Sequence, residues 1–216
     1  MIPLKDDNPR SSIPFLTIAL IIVNVVVFYF EIKTGYSPII EKFGAVSINI
    51  IQGRDLETLI TSMFVHGSIM HIVGNMLYLW IFGDNIENYL GHTRFIIFYL
   101  FCGLFAVLSH IILGGVSDMP MVGASGAISG ILGAYLVKYP RAKVVVIIPV
   151  IWFLLVRSIP AVIVLGFWFV LQLFSGIGSL GKQGGGIAFW AHIGGFVAGV
   201  LLIFIFPKKK RGRFRD

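Results

Sequence analysis

The chain has 216 residues, of which 57% are hydrophobic and only 12% are charged, with a formal net charge of +7 at pH 7. About a quarter of the residues in a soluble domain of this size are charged, so this chain has too little polar surface to cover a water-soluble globule. Its mean hydropathy of +0.92 indicates an all-α integral membrane protein whose surface is mostly solvated by lipid.

The first element in chain order is a short charged segment, residues 1–12, which we expect to be cytoplasmic. A long apolar stretch, residues 13–31, follows it. This stretch is longer than the core of a signal peptide, and the sequence "FYFEI" at its end lacks the small residues of a cleavage site. We interpret it as a retained first transmembrane helix.

The chain contains about six apolar spans, judged against the roughly 20 residues of helix that cross a bilayer core. The segment "VVVIIPVIWFLLVRSIP" at 144–160 is broken by two prolines and carries Arg157. We interpret it as an interfacial or re-entrant connection. The membrane domain then covers residues 13–206, and a basic tail covers 207–216. The predicted spans are 13–31, 68–88, 94–113, 124–138, 160–176 and 188–206.

Lysine and arginine residues predict the orientation of the spans, because they collect in the cytoplasmic loops of membrane proteins. With six spans, most of them fall on one side, so both termini are expected to be cytoplasmic. We interpret the basic tail as a topology anchor that also contacts anionic lipid, and we expect no nucleic-acid partner. The basic residues on this side are Lys5, Arg10, Arg94, Lys138, Arg141, Lys143, Arg157, Lys208, Lys209, Lys210, Arg211, Arg213 and Arg215.

The fourth span is short and begins at Ser125, in the stretch "MVGASGAISG". From Ser125 to the charged stop at Lys138 the helix is about 20 Å long, whereas the hydrocarbon is about 30 Å thick. Ser125 is therefore expected about 10 Å below the outer surface. Irregular backbone at that depth needs a cover of protein or water, so we expect a buried aqueous pocket with Ser125 at its floor.

Three polar residues are expected at the same depth as Ser125. His71 and Asn75 begin the second span and, four residues apart, share one helical face; His192 begins the sixth span. The second, fourth and sixth spans run in the same direction, so these side chains can meet. Small residues let membrane helices approach closely, which predicts face-to-face packing of the fourth and sixth spans. The packing residues are Gly126, Gly130, Gly195 and Gly199.

A serine hydroxyl becomes a good nucleophile when a base accepts its proton, and neutral imidazole is the usual base near pH 7. His192 is the candidate base for Ser125. The backbone N–H of Ser125 and the side-chain amide of Asn75 are candidate donors to an oxyanion, with His71 as a third. No acidic residue lies near these positions in the sequence, so the expected catalytic unit is a Ser–His dyad.

Three motifs occur in order on alternate spans: "HGSIMHIVGN", "GASGAISGILGAY" and "AHIGGFVAG". Together with six spans, they resemble the rhomboid family of intramembrane serine proteases over nearly the whole chain. The resemblance implies a six-helix rhomboid bundle with Ser125 as nucleophile, His192 as base, and Asn75 and His71 at the oxyanion site.

The same resemblance implies cleavage of the transmembrane segments of other proteins near the outer face of the membrane, after a small residue and without metal or cofactor. It also implies that substrates pass the fifth span sideways, with residues 166–176 as the gate and the glycine-rich segment 178–186 as a cap.

Two positions depart from the family pattern. Glu57 and Thr58 stand where members carry a Trp-Arg pair, and Ser129 stands where they carry an aromatic residue that stacks on the histidine. The first departure should be tolerated, whereas the second leads us to expect an altered rate. His192 should be oriented either by a hydrogen bond to Ser129 or by packing against nearby aromatic side chains.

Other functions fit the sequence less well. A catalytically silent rhomboid-like protein that binds membrane helices would be marked by loss of Ser125 or His192, and both are present. A channel would need ionisable residues along the middle of several spans, and a metal site built from His66, His71 and His192 would lack a carboxylate ligand. The absence of a targeting extension favours the multi-pass cell membrane of a prokaryote.

Overall fold

The structure, a computed structural model, describes residues 1–9, 12–150, 152–179 and 188–208. Each apolar segment predicted to span the membrane is helical in it, because a backbone surrounded by lipid satisfies its polar groups within a helix. The helices are α1 (Phe15–Thr34), α2 (Tyr36–Phe43), α3 (Ser47–Ile51), α4 (Thr58–Thr61), α5 (Ile69–Tyr78), α6 (Asp84–Leu90), α7 (His92–Leu113), α8 (Ser125–Lys138), α9 (Ala161–Ser179) and α10 (Phe189–Ile205). A 3-10 turn at Ser62–Phe64 follows α4, and a π-helical turn at Leu79–Gly83 joins α5 to α6.

Among the described residues, three helices, α1, α7 and α9, are long and apolar enough to cross a membrane by length and composition. The count reaches four if Thr58–Phe64 and Ile69–Leu90, which meet at an angle of 93°, form one broken span. Helices α8 and α10 are shorter, with 14 and 17 residues. The apolar helices fit a membrane protein, whereas six crossings and the side of each terminus stay predictions.

The fold is mostly helical, and the described residues also form two antiparallel sheets that the expectation of an all-α fold did not include. The strands are β1 (Ile2–Asp6), β2 (Ala45–Val46), β3 (Pro120–Met121), β4 (Lys143–Val150) and β5 (Phe153–Pro160). A three-stranded sheet has the order β1-β4-β5, and a two-stranded ladder joins β2 to β3. The larger sheet lies at one end of the helix bundle, which we call the sheet end.

Residues 144–160, interpreted as an interfacial or re-entrant connection, fall in the β4–β5 hairpin, and its place relative to the membrane stays a prediction. The β-branched run "VVVII" that opens this segment favours extended backbone, and Pro149 and Pro160 do not fit a helix interior. The hairpin starts where Lys143 lies opposite Pro160. Its ladder satisfies the backbone groups without a helix.

Two carboxylates fasten the sheet end to the helices. Asp6, at the end of β1, accepts hydrogen bonds from Asn85 Nδ2 at 2.9 Å and Tyr135 Oη at 2.5 Å, which ties the sheet to α6 and α8. The buried Glu87 accepts from the backbone N–H groups of Leu16 and Thr17 at 2.8 and 2.7 Å. Glu87 therefore caps the first turn of α1, where N–H groups have no partner within the helix.

At the opposite end, which we call the serine end, the loop before α8 is held by the loops that follow α1. Ala45 of β2 pairs with Met121 of β3, and the backbone N–H of Gly123 donates to the carbonyl oxygen of Ser62 at 2.9 Å. These contacts give protein partners to the irregular backbone that precedes Ser125.

Helices α8 and α10 are in backbone contact through glycine residues. A Cβ atom on Gly195 would overlap the carbonyl oxygen of Gly126, and a Cβ atom on Gly199 would overlap that of Gly130. From the first pair of glycines to the second, the residue number rises by four in both helices. The two helices therefore run in the same direction. Small residues permit such close approach, and here it brings the first turns of α8 and α10 together.

Helix α9 lies at the periphery of the bundle. Its Phe169 stacks on Phe196 of α10 with ring centroids 4.5 Å apart, whereas Phe167 and Phe174 are exposed. Of the segment 178–186, which we expected to act as a cap, residues 180–186 lie outside the described residues, as do residues 209–216 of the basic tail.

Candidate active site

Ser125 and His192 meet at the serine end. Ser125 is the first residue of α8, and His192 lies in the first turn of α10. The Nε2 atom of His192 is 2.8 Å from the Oγ atom of Ser125. At this distance a neutral imidazole accepts a hydrogen bond from the hydroxyl group.

The second ring nitrogen of His192 contacts a residue that the sequence analysis did not single out. The Nδ1 atom lies 2.8 Å from Oε1 of Gln172, on α9. The signal in the sequence is the lone amide within the apolar stretch "GFWFVLQLFSG". A polar side chain in such a helix usually faces the protein interior, but sequence alone does not identify its partner.

Two ways of orienting His192 were expected from the sequence, a hydrogen bond to Ser129 or packing against nearby aromatic side chains. The hydroxyl of Ser129 donates to the carbonyl oxygen of Ser125 at 2.6 Å, so it is directed along its own helix rather than toward the imidazole. The ring of Trp168 lies against His192 with centroids 6.0 Å apart and planes at 34°. The structure therefore contains the aromatic packing and does not contain the suggested hydrogen bond between Ser129 and His192.

His71 and Asn75, both on α5, reach the loop before Ser125. A Cβ atom placed on Gly123 would lie 2.6 Å from His71 Nε2 and 3.5 Å from Asn75 Nδ2. Gly123 has a φ of +120°, which side chains disfavour. Asn75 is buried, and its Nδ2 group has no hydrogen-bond partner among the described residues. It is thus a free buried donor close to the start of α8.

His66 lies behind His71 and is fully buried. Its backbone N–H donates to both carboxylate oxygens of Glu31, at 3.1 and 3.2 Å, and its ring meets that of His71 edge-on with centroids 5.1 Å apart. The hydrogen bonds to Glu31 join the loop before α5 to α1, and the ring contact packs His66 against His71. Among the described residues, no three His, Cys, Asp or Glu side chains are grouped to hold a metal ion.

A small cavity opens beside Ser125, between α7, α8 and the start of α10. Most of its lining is glycine or alanine, so a bulky group does not fit without displacing helix backbone. Its water content stays a prediction. The small lining residues include Gly103, Ala106, Gly126, Ala127, Ala188 and Ala191.

These elements fall within a known domain, because residues 53–209, more than half of the chain, match the Rhomboid domain family model. The chain belongs to the rhomboid family. The match confirms the resemblance drawn from the motifs around His71, Ser125 and His192.

This rhomboid protein is similar to relatives from plants, bacteria and fungi. RHOMBOID-like protein 6, mitochondrial, from Arabidopsis thaliana is 33% identical over 171 residues, which are 78% of this chain and 50% of that protein. Rhomboid protease GluP from Bacillus subtilis (strain 168) is 34% identical over 131 residues, 60% of this chain and 25% of that protein. Rhomboid protein 1, mitochondrial, from Saccharomyces cerevisiae is 28% identical over 196 residues, 86% of this chain and 51% of that protein. The chain spans about half the length of the plant and yeast relatives and a quarter of the bacterial one.

Proposed function

We propose that this rhomboid protein is an intramembrane serine endopeptidase in which Ser125 is the nucleophile and His192 is the general base. The observation that carries the proposal is the 2.8 Å distance between His192 Nε2 and Ser125 Oγ, because a hydroxyl becomes nucleophilic when an adjacent base takes its proton. The Rhomboid domain match and the protease named among the relatives support the same reaction class.

The proposed reaction is acyl transfer in two steps. Ser125 Oγ attacks the carbonyl carbon of the scissile peptide while His192 Nε2 takes the hydroxyl proton, and that proton passes to the leaving amine as the C–N bond breaks. Water then attacks the acyl-enzyme ester. His192 takes a proton from this water and returns it to Ser125 Oγ, which leaves as the new carboxyl group forms.

We assign the stabilisation of the oxyanion to donors around the start of α8. The unpartnered Asn75 Nδ2 supplies one hydrogen bond, the Ser125 backbone N–H at the helix N-terminus supplies another, and His71 is a third candidate donor. Removal of one such donor typically lowers kcat by about 100- to 1,000-fold. Asn75→Ala should therefore reduce cleavage strongly while it leaves Ser125 and His192 in place.

The proposed substrates are transmembrane segments of other membrane proteins, cut after a small residue. The small cavity beside Ser125, with Gly126 and Ala127 in its lining, suits a side chain of that size. The peripheral position of α9, whose Phe174 is exposed, is consistent with sideways access of a substrate helix between α9 and the rest of the bundle.

We further propose six membrane crossings with both termini in the cytoplasm and Ser125 near the outer face. At the sheet end, Lys138 Nζ lies 5.0 Å from the Tyr89 ring centroid, and Arg94 donates to the carbonyl oxygen of Pro207. This clustering of cations, with Ser125 at the opposite end, agrees with the positive-inside rule. Two of the relatives are named mitochondrial, which weighs against the prokaryotic plasma membrane expected from the sequence; the proposal requires only a bilayer.

A fluorophosphonate probe, which reacts with activated serine hydroxyls, tests the proposal on purified protein in detergent. We expect the parent to be labelled and both Ser125→Ala and His192→Ala to lose labelling. Ser158→Ala, which removes an exposed hydroxyl in β5 at the sheet end, is the matched control and should label like the parent. Folded parent protein that stays unlabelled would contradict the proposal and favour a silent rhomboid protein that binds membrane helices.

A further inference from the structure

Gln172 and Ser125 occupy the two nitrogen atoms of one imidazole ring. His192 Nδ1 lies 2.8 Å from Gln172 Oε1, and His192 Nε2 lies 2.8 Å from Ser125 Oγ. We propose that Gln172 is a positioning residue of the catalytic site, which holds His192 in the tautomer and ring orientation that activate Ser125. This inference rests on the proposed function.

The tautomer follows from the chemistry of the amide oxygen. Gln172 Oε1 carries no proton, so the hydrogen bond to it requires a proton on His192 Nδ1. A neutral imidazole with its proton on Nδ1 has a lone pair on Nε2, the atom that faces Ser125 Oγ. The opposite tautomer would place an N–H group against the hydroxyl and could not accept its proton. The Gln172 contact therefore selects the form of His192 that acts as a base.

The hydrogen bond between Gln172 and His192 also restrains the direction in which the imidazole ring points. Trp168 packs on His192 at a centroid distance of 6.0 Å, which limits tilting but does not distinguish one ring nitrogen from the other. Ser129 donates to a backbone carbonyl oxygen instead. Gln172 thus supplies a restraint that neither of these neighbours supplies.

An amide suits this position better than the carboxylate that orients histidine in many soluble serine hydrolases. A buried carboxylate without a full set of partners costs several kcal/mol, whereas a neutral amide needs only to satisfy its hydrogen bonds. Gln172 lies in an apolar helix and is half-buried, with its oxygen directed at His192. The residue therefore provides the acceptor without a charge in the bundle.

The contact makes the base dependent on the position of α9. His192 belongs to α10, whose glycines touch the backbone of α8, while Gln172 belongs to the peripheral α9. A displacement of α9 by about 1 Å would stretch the 2.8 Å contact beyond hydrogen-bond length. Ser125 is therefore fully activated only when α9 is packed against α10.

The rate of fluorophosphonate labelling tests this role without a known substrate. Gln172→Leu removes the acceptor from a helix that tolerates leucine, and we expect labelling to slow by about 10- to 100-fold, the usual effect of a misplaced catalytic group. Gln172→Glu keeps an acceptor oxygen at the same place but adds the cost of a partly buried carboxylate, so it should label faster than Gln172→Leu and more slowly than the parent. Ile163→Leu, an exposed substitution on the same helix outside residues 166–176, is the matched control and should label like the parent.

Nitrogen NMR of 15N-histidine-labelled protein supplies a readout that a purely structural role would not change. We expect the His192 signals, assigned by comparison with His192→Ala, to report a protonated Nδ1 in the parent and a mixture of tautomers in Gln172→Leu. If the parent is labelled but Gln172→Leu labels as fast as Ile163→Leu, the positioning role is overturned and the proposed protease stands. If the parent is unlabelled, the protease proposal fails, and a tautomer unchanged in Gln172→Leu overturns the positioning role as well.

Discussion

Gly195 of α10 lies on the carbonyl oxygen of Gly126 in α8, with no room for a side-chain carbon between the two helices. Gly126 follows Ser125 directly, and Gly195 is three residues after His192. The distance between hydroxyl and imidazole is therefore set by backbone packed against backbone, which varies less than contacts between long side chains. Residues with no chemistry of their own determine whether the dyad forms.

Gly195→Ala should separate the two helices. We expect a loss of about 1–3 kcal/mol in the free energy of unfolding, the usual cost of overpacking, and a fall in fluorophosphonate labelling on the order of ten-fold or more. Gly166→Ala in α9 is the control, because a Cβ atom there meets no atom within 4 Å. Thermal unfolding in detergent and labelling rates measure the two effects; equal values for both variants would refute the packing argument.

Gly123→Ala should damage the oxyanion site more than the fold. Its backbone is strained for alanine, at a cost of about 1–3 kcal/mol, and the added Cβ atom would press on His71 Nε2 at 2.6 Å. Gly115→Ala is the matched control, since it has a φ of +89° but open space around its Cβ position. We expect similar unfolding midpoints for both variants and a loss of labelling in Gly123→Ala alone. Labelling that survives in Gly123→Ala would argue against a role for His71 at this site.

Glu87→Ala should destabilise the protein without removing its reactivity. The change leaves the N–H groups of Leu16 and Thr17 without their carboxylate acceptor, and hydrogen bonds to charged groups contribute about 1.5–3 kcal/mol each. Because Glu87 lies at the sheet end, labelling of Ser125 should persist at low temperature. Glu41→Ala, at an exposed position, is the control for the unfolding midpoint, and a midpoint equal to that control would rule out the capping role.

The stability of the sheet end should depend on pH through Asp6. Burial raises the pKa of this carboxyl group, although hydrogen bonds from Tyr135 and Asn85 oppose the shift. The folded protein then holds the proton more tightly than the unfolded chain. The resulting stability is fully present below the ordinary pKa of about 3.9 and is lost as the pH rises through the raised value.

We therefore expect the unfolding midpoint of the parent to fall relative to that of Asp6→Asn as the pH rises from about 4 to 7. Asp118→Asn, at an exposed position, should follow the parent at every pH. If the difference in unfolding midpoint between the parent and Asp6→Asn stays constant across this pH range, protonation of Asp6 is not coupled to unfolding.

Local features of the sequence predicted the elements around the site well. The helix that starts at Ser125 and the spacing of Gly195 and Gly199 are short-range patterns, and the structure places these residues as the spacing suggested. The hydrogen-bond partner of Ser129 was harder to predict, because a hydroxyl within a helix can also donate to the carbonyl group one turn earlier.

Long-range partners were not predictable from the same patterns. Gln172 is a lone amide that no periodicity links to His192, and the two meet only through the packing of α9 on α10. The sheet was missed for a similar reason, since the charged start of the chain gives no hint that Ile2 pairs with Ile147. Strand pairing across such a distance depends on the tertiary fold more than on local preference.

The position of β1 in the sheet also fixes an order of assembly. Ile2 pairs with Ile147, which follows α8, and Asp6 accepts a hydrogen bond from Tyr135 within α8. The partners of the first strand are therefore made only after α1 to α7. Contacts between residues so far apart in the chain close large loops and form late in folding. During synthesis β1 therefore stays unpaired until β4 has been made, and only then can the two strands form their ladder.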